Sequence, residues 1–186
     1  MDVFKNEHNY TIQFGKYYLI LFIIWPFLAF ITAIANYRHK VAQLVVYFFL
    51  IYYGLTFIIA STGFDSYRYA LGLISFSHLN LRDFISYIGG NNSGSGILDF
   101  IEPIIKFCVS RFTIYHGFLF ASYAALFGYF YLNSINLLYF RYGRFNNLNS
   151  MLFLLFFIFM LPITAINGFR MWTAAWIFFY GAYHVI

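Results

Sequence analysis

Residues that could do chemistry are concentrated between Ser61 and Phe112, which hold four of the six acidic and four of the eleven basic residues. Near the start of this loop, Asp65 and Arg68 lie within about one and a half helical turns of Tyr67 and Tyr69. A carboxylate can accept a hydroxyl proton, and a guanidinium fork matches a phosphate. The same segment also fits a plain helix start, with Thr62, Asp65 or Ser66 capping the first amides and the tyrosines in an interfacial belt.

A second charged group lies at the far end of the same loop. Glu102 precedes Pro103, a residue suited to the first position of a helix, and Lys106 follows Glu102 by four residues. This spacing predicts a short helix with an ion pair along one side and with Lys106, Ser110 and Thr113 on one face. A purely structural acid at the start of a helix is the alternative for Glu102.

Arg170 begins the last apolar segment and shares a helical face with Thr173, Ala174 and Gly181. A membrane helix packs its small and polar face inward, so Arg170 is expected to point into a bundle, where a cation needs an anion. The alternative is an arginine that extends to the membrane interface. His116, at the outer end of another apolar segment, is a candidate lining residue.

Composition excludes several classes of protein. With 62% hydrophobic and 9% charged residues, the chain falls far below the roughly 25% charged residues of soluble domains, which predicts an integral membrane protein. The net charge of +5 comes from scattered single residues and indicates no nucleic-acid patch. The single cysteine, Cys108, has apolar neighbours that predict burial, and no motif predicts a metal site or a cofactor.

The predicted fold is an all-α, polytopic membrane helix bundle of about five transmembrane helices, forming one domain over residues 1–186. Short extracytoplasmic helices are expected in the loop 61–112. Apolar segments of sufficient length to cross about 30 Å of hydrocarbon predict the spans, which are Tyr17–Ala35 with a kink at Pro26, Val41–Ala60, Ile114–Leu132, Met151–Ile166 and 170–186. The last segment ends without a polar flank, so the sequence is expected to be part of a longer protein.

Charge predicts orientation, because short cytoplasmic loops carry excess Lys and Arg. The connections 36–40 and 133–149 contain four Lys and Arg residues and no acid. The prediction therefore places these two loops in the cytoplasm, and the N-terminus and the loop 61–112 outside.

The order of these motifs resembles a known family. A Gly-x-Asp sequence at Gly63 and Asp65 outside an early span, a Glu-Pro at Glu102-Pro103 that opens a short helix, and a loop-to-span arginine at Arg170 are similar to the EpsG-type branch of the Wzy polysaccharide polymerases. The resemblance covers Val41 to Ile186. Members of this family are considerably longer than this chain.

The resemblance implies an enzyme that joins undecaprenyl-pyrophosphate-linked oligosaccharide repeat units at the outer face of the bacterial inner membrane. Asp65 or Glu102 would take the proton of the acceptor hydroxyl, and Arg170 would hold the pyrophosphate. The further candidate substrate-binding residues are Arg68, Arg111, Tyr67, Tyr69, Lys106 and His116. The expected partners are the lipid-linked glycan, membrane lipid and other polysaccharide-assembly proteins.

Two other classes of function fit the same residues. A transporter or flippase for an anionic lipid or solute would use the arginines for binding without cleaving a bond, and a structural subunit would use the loop to contact a partner. A transporter needs polar residues that continue through the membrane. After Arg170 the last segment is apolar up to His184 except for Thr173, so the sequence favours an enzyme with a site confined to the outer end.

Overall fold

The computed structural model of the protein describes residues 2–59, 65–89, 101–142 and 169–185, with side chains for 13–59, 65–89, 101–138 and 171–183. The described residues form helices and no strand, which confirms the all-α prediction. The eight helices are α1 (Asp2–Ile24), α2 (Pro26–Ala35), α3 (Lys40–Leu55), α4 (Asp65–Ser77), α5 (Leu81–Ile88), α6 (Ile101–Ser110), α7 (His116–Tyr142) and α8 (Phe169–Val185). The predicted span Met151–Ile166 lies outside the described residues.

Helices α3 and α7 form an antiparallel pair at the centre of the fold. The phenol of Tyr47 on α3 donates a hydrogen bond of 3.1 Å to the carbonyl oxygen of Ala125 on α7. Gly54 permits the close approach, because an added Cβ there would lie 2.5 Å from the Phe120 carbonyl oxygen. We name the two ends of this pair the His116 end, which includes Leu55, and the Lys40 end, which includes Asn136.

Helices α1 and α2 fold back on each other as an antiparallel hairpin. Tyr18 donates a hydrogen bond of 3.0 Å to the carbonyl oxygen of Thr32, and the ring centroids of Phe14 and His39 are 5.0 Å apart. In one continuous helix Tyr18 and Thr32 would be about 21 Å apart, so the chain reverses between them. The reversal is at Trp25, whose backbone is not helical (φ −149°, ψ 86°).

The prediction of one span over Tyr17–Ala35 is therefore wrong. A proline such as Pro26 is compatible both with a kink and with the first turn of a new helix, and tertiary contacts decide between the two. The apolar part of α1, Gln13–Ile24, and α2 are about 18 and 15 Å long, each shorter than the roughly 30 Å hydrocarbon core. The hairpin brings Phe14 to the Lys40 end, so the predicted separation of the N-terminal segment from the loop 36–40 does not fit the structure.

Helices α4 and α6 run side by side in the same direction and pack against α7. The ammonium of Lys106 lies over the ring of Tyr69, and the guanidinium of Arg111 bonds to the carbonyl oxygen of Phe76. Because later residues of α6 meet later residues of α4, the first turns of both helices lie at the same end of the pair. Tyr69 in turn packs edge-on against Tyr123 of α7, with 5.6 Å between ring centroids.

The described helices expose many large apolar side chains in addition to burying an apolar core. Large apolar residues such as Leu19, Ile23 and Phe178 are exposed, whereas Lys106 and Ser66 are buried. Large continuous apolar surfaces are uncommon on soluble monomers. Within the described part of the chain, one helix segment, His116–Leu138, is long and apolar enough to cross a membrane. Helices α2 and α3 are shorter apolar helices.

Candidate functional site

The centre of the candidate site is a buried ion pair within α6. Lys106 and Glu102 are joined by a salt bridge one helical turn apart, as their spacing predicts, and their side chains are only 9% and 12% exposed. Burial of two charges is costly unless they are paired. The polar face of α6, which includes Ser110, points into the protein, whereas Ile104 and Cys108 are exposed. The predicted burial of Cys108 is therefore wrong.

Residues of helix α4 surround the Lys106 side chain. The ammonium lies 4.9 Å from the centroid of the Tyr69 ring, a cation–π contact in a desolvated position. A Cβ added at Gly72 would lie 2.8 Å from the Lys106 Nζ atom, so a larger residue there would displace the cation. Tyr69 is almost fully buried. Because its ring packs against protein, it is not available to stack on a sugar.

The other predicted carboxylate, Asp65, lies in the first turn of α4 and is exposed. Its Oδ1 is 3.6 Å from Nη1 of Arg68, and the side chains of Arg68 and Asp65 are 76% and 47% exposed. An acid in the first turn is stabilised by the helix dipole. Both groups remain open to a ligand.

The parallel packing of α4 and α6 brings Asp65, Arg68 and Glu102 to one end of the helix pair. The positive end of each helix dipole points toward this end, and it attracts anions. Carboxylates, a guanidinium and two helix N-termini are thus present together. We name this end the α4–α6 mouth.

Arg111, a predicted phosphate-binding residue, has a structural role. Its Nη2 atom donates a hydrogen bond of 2.6 Å to the carbonyl oxygen of Phe76 in the last turn of α4, where a cation favours the helix C-terminus. Its guanidinium also lies 4.6 Å from the centroid of Phe107, which stacks on Phe84 of α5 at 4.0 Å. Arg111 therefore ties α4, α5 and α6 together at the end opposite to the α4–α6 mouth.

Three further predicted residues lie apart from the ion pair. Tyr67 is half-buried and points to a different side of α4 from Tyr69. His116 is the first residue of α7, and its ring neighbours are Tyr115 and Phe120. Arg170 is the second residue of α8, but the position of its side chain lies outside the described residues.

Sequence reasoning missed Gly72 and Tyr123. A glycine inside a helix costs about 1 kcal/mol relative to alanine, and such a residue signals close packing, so Gly72 could have been singled out. Tyr123 carries no comparable signal, because its contact with Tyr69 depends on how α4 packs against α7. Among the residues whose positions are described, no group of three His, Cys, Asp or Glu residues could hold a metal ion.

Comparison of the chain with protein-family models, with curated proteins and with solved structures found no match.

Proposed function

We propose that this chain is a membrane-embedded polymerase of the EpsG-type, Wzy-like kind that joins undecaprenyl-pyrophosphate-linked oligosaccharide repeat units at the outer face of the bacterial inner membrane. The observation that carries the proposal is the α4–α6 mouth, where an exposed Asp65–Arg68 pair lies at the N-termini of two parallel helices. Such an end offers both a proton acceptor and an anion-binding surface.

The apolar exterior of the described helices supports a membrane setting, as does α7, whose length fits a crossing. In that setting, α1 and α2 form a re-entrant hairpin that enters from the Lys40 end. Lys16, Arg38 and Lys40 lie at this end, and short cytoplasmic loops carry excess Lys and Arg, so the charge rule places this end in the cytoplasm. The His116 end is then extracytoplasmic, the side on which we propose that the α4–α6 mouth takes substrate, and the N-terminal segment moves to the cytoplasmic side.

The reaction is a glycosyl transfer. The acceptor hydroxyl oxygen attacks the anomeric carbon of the growing glycan while the bond from that carbon to the pyrophosphate oxygen breaks. The electron pair leaves with the pyrophosphate, and Asp65 takes the acceptor proton. Arg68, with Arg170, binds the oxygen atoms on which negative charge develops. Glu102 holds Lys106, which lies against Tyr69 of α4, and so keeps α4 and α6 in register.

The test measures bond cleavage with the full-length protein, purified and supplied with a polyprenyl-pyrophosphate oligosaccharide. Wild type should release polyprenyl pyrophosphate and form longer glycans, and Asp65→Asn or Arg68→Gln should lose 100-fold or more in rate, the usual range for a general base or a charge-stabilising donor. The matched controls are Asp83→Asn and Arg82→Gln, which change exposed charges of the neighbouring helix α5 and should leave the rate unchanged.

A transporter would give a different result. It would move the lipid-linked substrate across a vesicle membrane without releasing polyprenyl pyrophosphate. Transport without release would show that the protein is a transporter and not an enzyme. An undiminished rate in Asp65→Asn would show that Asp65 does not take the acceptor proton.

A further inference from the structure

Helix α5 has an apolar side that protein covers only in part. Its apolar residues have the spacing of an amphipathic helix, at the first, fourth, fifth and eighth positions, which are Leu81, Phe84, Ile85 and Ile88. Phe84 is 7% exposed, whereas Leu81 and Ile85 are 63% and 62% exposed. Two large apolar side chains one helical turn apart therefore face away from the protein. The proposed polymerase reaction does not use either of them.

The opposite side of α5 is polar. Arg82, Asp83 and Ser86 lie on this side, and the first two are exposed. A helix with an apolar and a polar side lies in the plane of a membrane interface, with its apolar side among the acyl chains. Because the charges of Arg82 and Asp83 cancel, such contact would depend on the apolar side chains and not on anionic headgroups.

The covered part of the apolar side determines where α5 lies. The Phe84 ring stacks on Phe107 of α6, with 4.0 Å between ring centroids. The Tyr87 ring lies edge-on to Phe76 in the last turn of α4, with 5.4 Å between ring centroids. Helix α5 therefore packs against the ends of α4 and α6 that Arg111 holds together.

These ends of α4 and α6 lie near the start of α7. Residues 111–115 separate α6 from α7, so Arg111 lies at most about 18 Å from His116. Within this connection Phe112 is 91% exposed, and Tyr115 is also exposed. Exposed aromatic residues beside the end of a membrane-crossing helix are typical of the interface. The exposed apolar residues of α5 thus lie near the end of α7, a helix long and apolar enough to cross a membrane.

We propose that α5 is an interfacial helix that lies on the lipid surface at the His116 end, with Leu81 and Ile85 inserted among the lipid chains. The contact holds the ends of α4 and α6 at the membrane surface, because the ring of Phe84 joins α5 to α6. Two aliphatic side chains offer on the order of 200 Å², whereas a stable protein interface buries about 800 Å² per partner. This small area favours lipid over a second copy of the chain. The proposal rests on the membrane setting of the proposed function and not on the polymerase reaction.

The experiment places a nitroxide label on α5 in the full chain, reconstituted into phosphatidylcholine vesicles. Cys108→Ser removes the single native cysteine, and new cysteines are then introduced singly as Leu81→Cys, Ile85→Cys and their matched neighbours Arg82→Cys and Ser86→Cys. The label's collision rates are measured with oxygen, which concentrates in lipid, and with a neutral nickel chelate, which stays in water on both sides. The ratio of oxygen to nickel collisions should be severalfold higher at positions 81 and 85 than at 82 and 86. Addition of phosphatidylglycerol should leave the ratios unchanged, because α5 has no net charge.

The control for the membrane setting is Tyr129→Cys, at an exposed position of α7, where the ratio should also be high. A high ratio at 129 with a low ratio at 81 and 85 would show that α5 faces water, and would overturn the proposal. Protection of 81 and 85 from both reagents would overturn it too, because protein would then cover α5. A low ratio at 129 would contradict the membrane setting, and this proposal with it. The release of polyprenyl pyrophosphate is measured separately, so a failure of the proposed reaction is distinguishable from a failure at α5.

Discussion

Two ion pairs in the described part of the protein have similar sequence spacing but very different surroundings. Asp65 and Arg68, three residues apart on α4, are 3.6 Å apart and largely exposed. Glu102 and Lys106, four residues apart on α6, are almost completely buried. An exposed pair contributes about 0.3–0.5 kcal/mol to stability, whereas removal of one partner from a buried pair costs about 3–5 kcal/mol.

This difference separates the roles of the two pairs. The buried pair is surrounded by protein, since Lys106 lies against Tyr69 and close to Gly72, and its charges stabilise the packing of α6 on α4. The exposed pair contributes little to folding and is accessible to a ligand. Spacing alone could not distinguish the pairs, because both fit the favourable positions on a helix surface.

The largest effect is expected from removal of one buried charge. Glu102→Gln leaves the Lys106 ammonium buried without its anion, and should lower the free energy of unfolding by about 3–5 kcal/mol. Denaturation in mixed micelles, followed by tryptophan fluorescence, measures the change. The double variant Glu102→Gln with Lys106→Met removes both charges and should recover most of the loss. A loss below about 1 kcal/mol for Glu102→Gln would contradict the burial of the pair.

A smaller loss of stability is expected from a substitution at Gly72, which lies beside the Lys106 ammonium. Gly72→Ala places a methyl group 2.8 Å from the Lys106 Nζ atom, so the side chain must move, and overpacking of this kind costs about 1–3 kcal/mol. Alanine favours the helix by about 1 kcal/mol over glycine, which leaves a net loss of up to about 2 kcal/mol. In the Lys106→Met background the flexible Met side chain should adapt, and Gly72→Ala should become neutral or stabilising. An equal loss in both backgrounds would show that Lys106 does not set the cost.

A third effect concerns Arg111. Arg111→Gln removes the cation from the last turn of α4 and its contact with the Phe107 ring, so stability should fall by about 1 kcal/mol. The rate of polyprenyl pyrophosphate release should change less than twofold, because Arg111 lies away from the α4–α6 mouth. A 100-fold loss of rate would indicate that Arg111 binds the phosphate groups of the substrate.

Local features of the fold were predictable from the sequence, and features that depend on tertiary contacts were not. The spacing of Glu102 and Lys106 predicted both α6 and its ion pair, because neighbours on one helix are fixed by helical geometry. Pro26 did not reveal the hairpin of α1 and α2, since the Tyr18 to Thr32 hydrogen bond joins residues fourteen positions apart.

In the candidate site too, the residue types were predictable from the sequence and their arrangement in space was not. Asp65, Glu102 and Arg68 could be selected by residue type and order, but the parallel packing that brings the first turns of α4 and α6 to one end depends on the contacts of Lys106 and Arg111.

The smallest effect is expected at the exposed pair. A double-mutant cycle of Asp65→Asn and Arg68→Gln should give a coupling energy of about 0.3–0.5 kcal/mol, which falls toward zero in 1 M salt because the Debye length is then about 3 Å. The same cycle on Glu102 and Lys106 should give a much larger coupling that salt barely changes, because the groups are shielded from ions. A salt-insensitive coupling above about 1.5 kcal/mol between Asp65 and Arg68 would mean that the two side chains bond mainly to each other and are shielded from solvent. In that case Asp65 could not serve as an accessible proton acceptor.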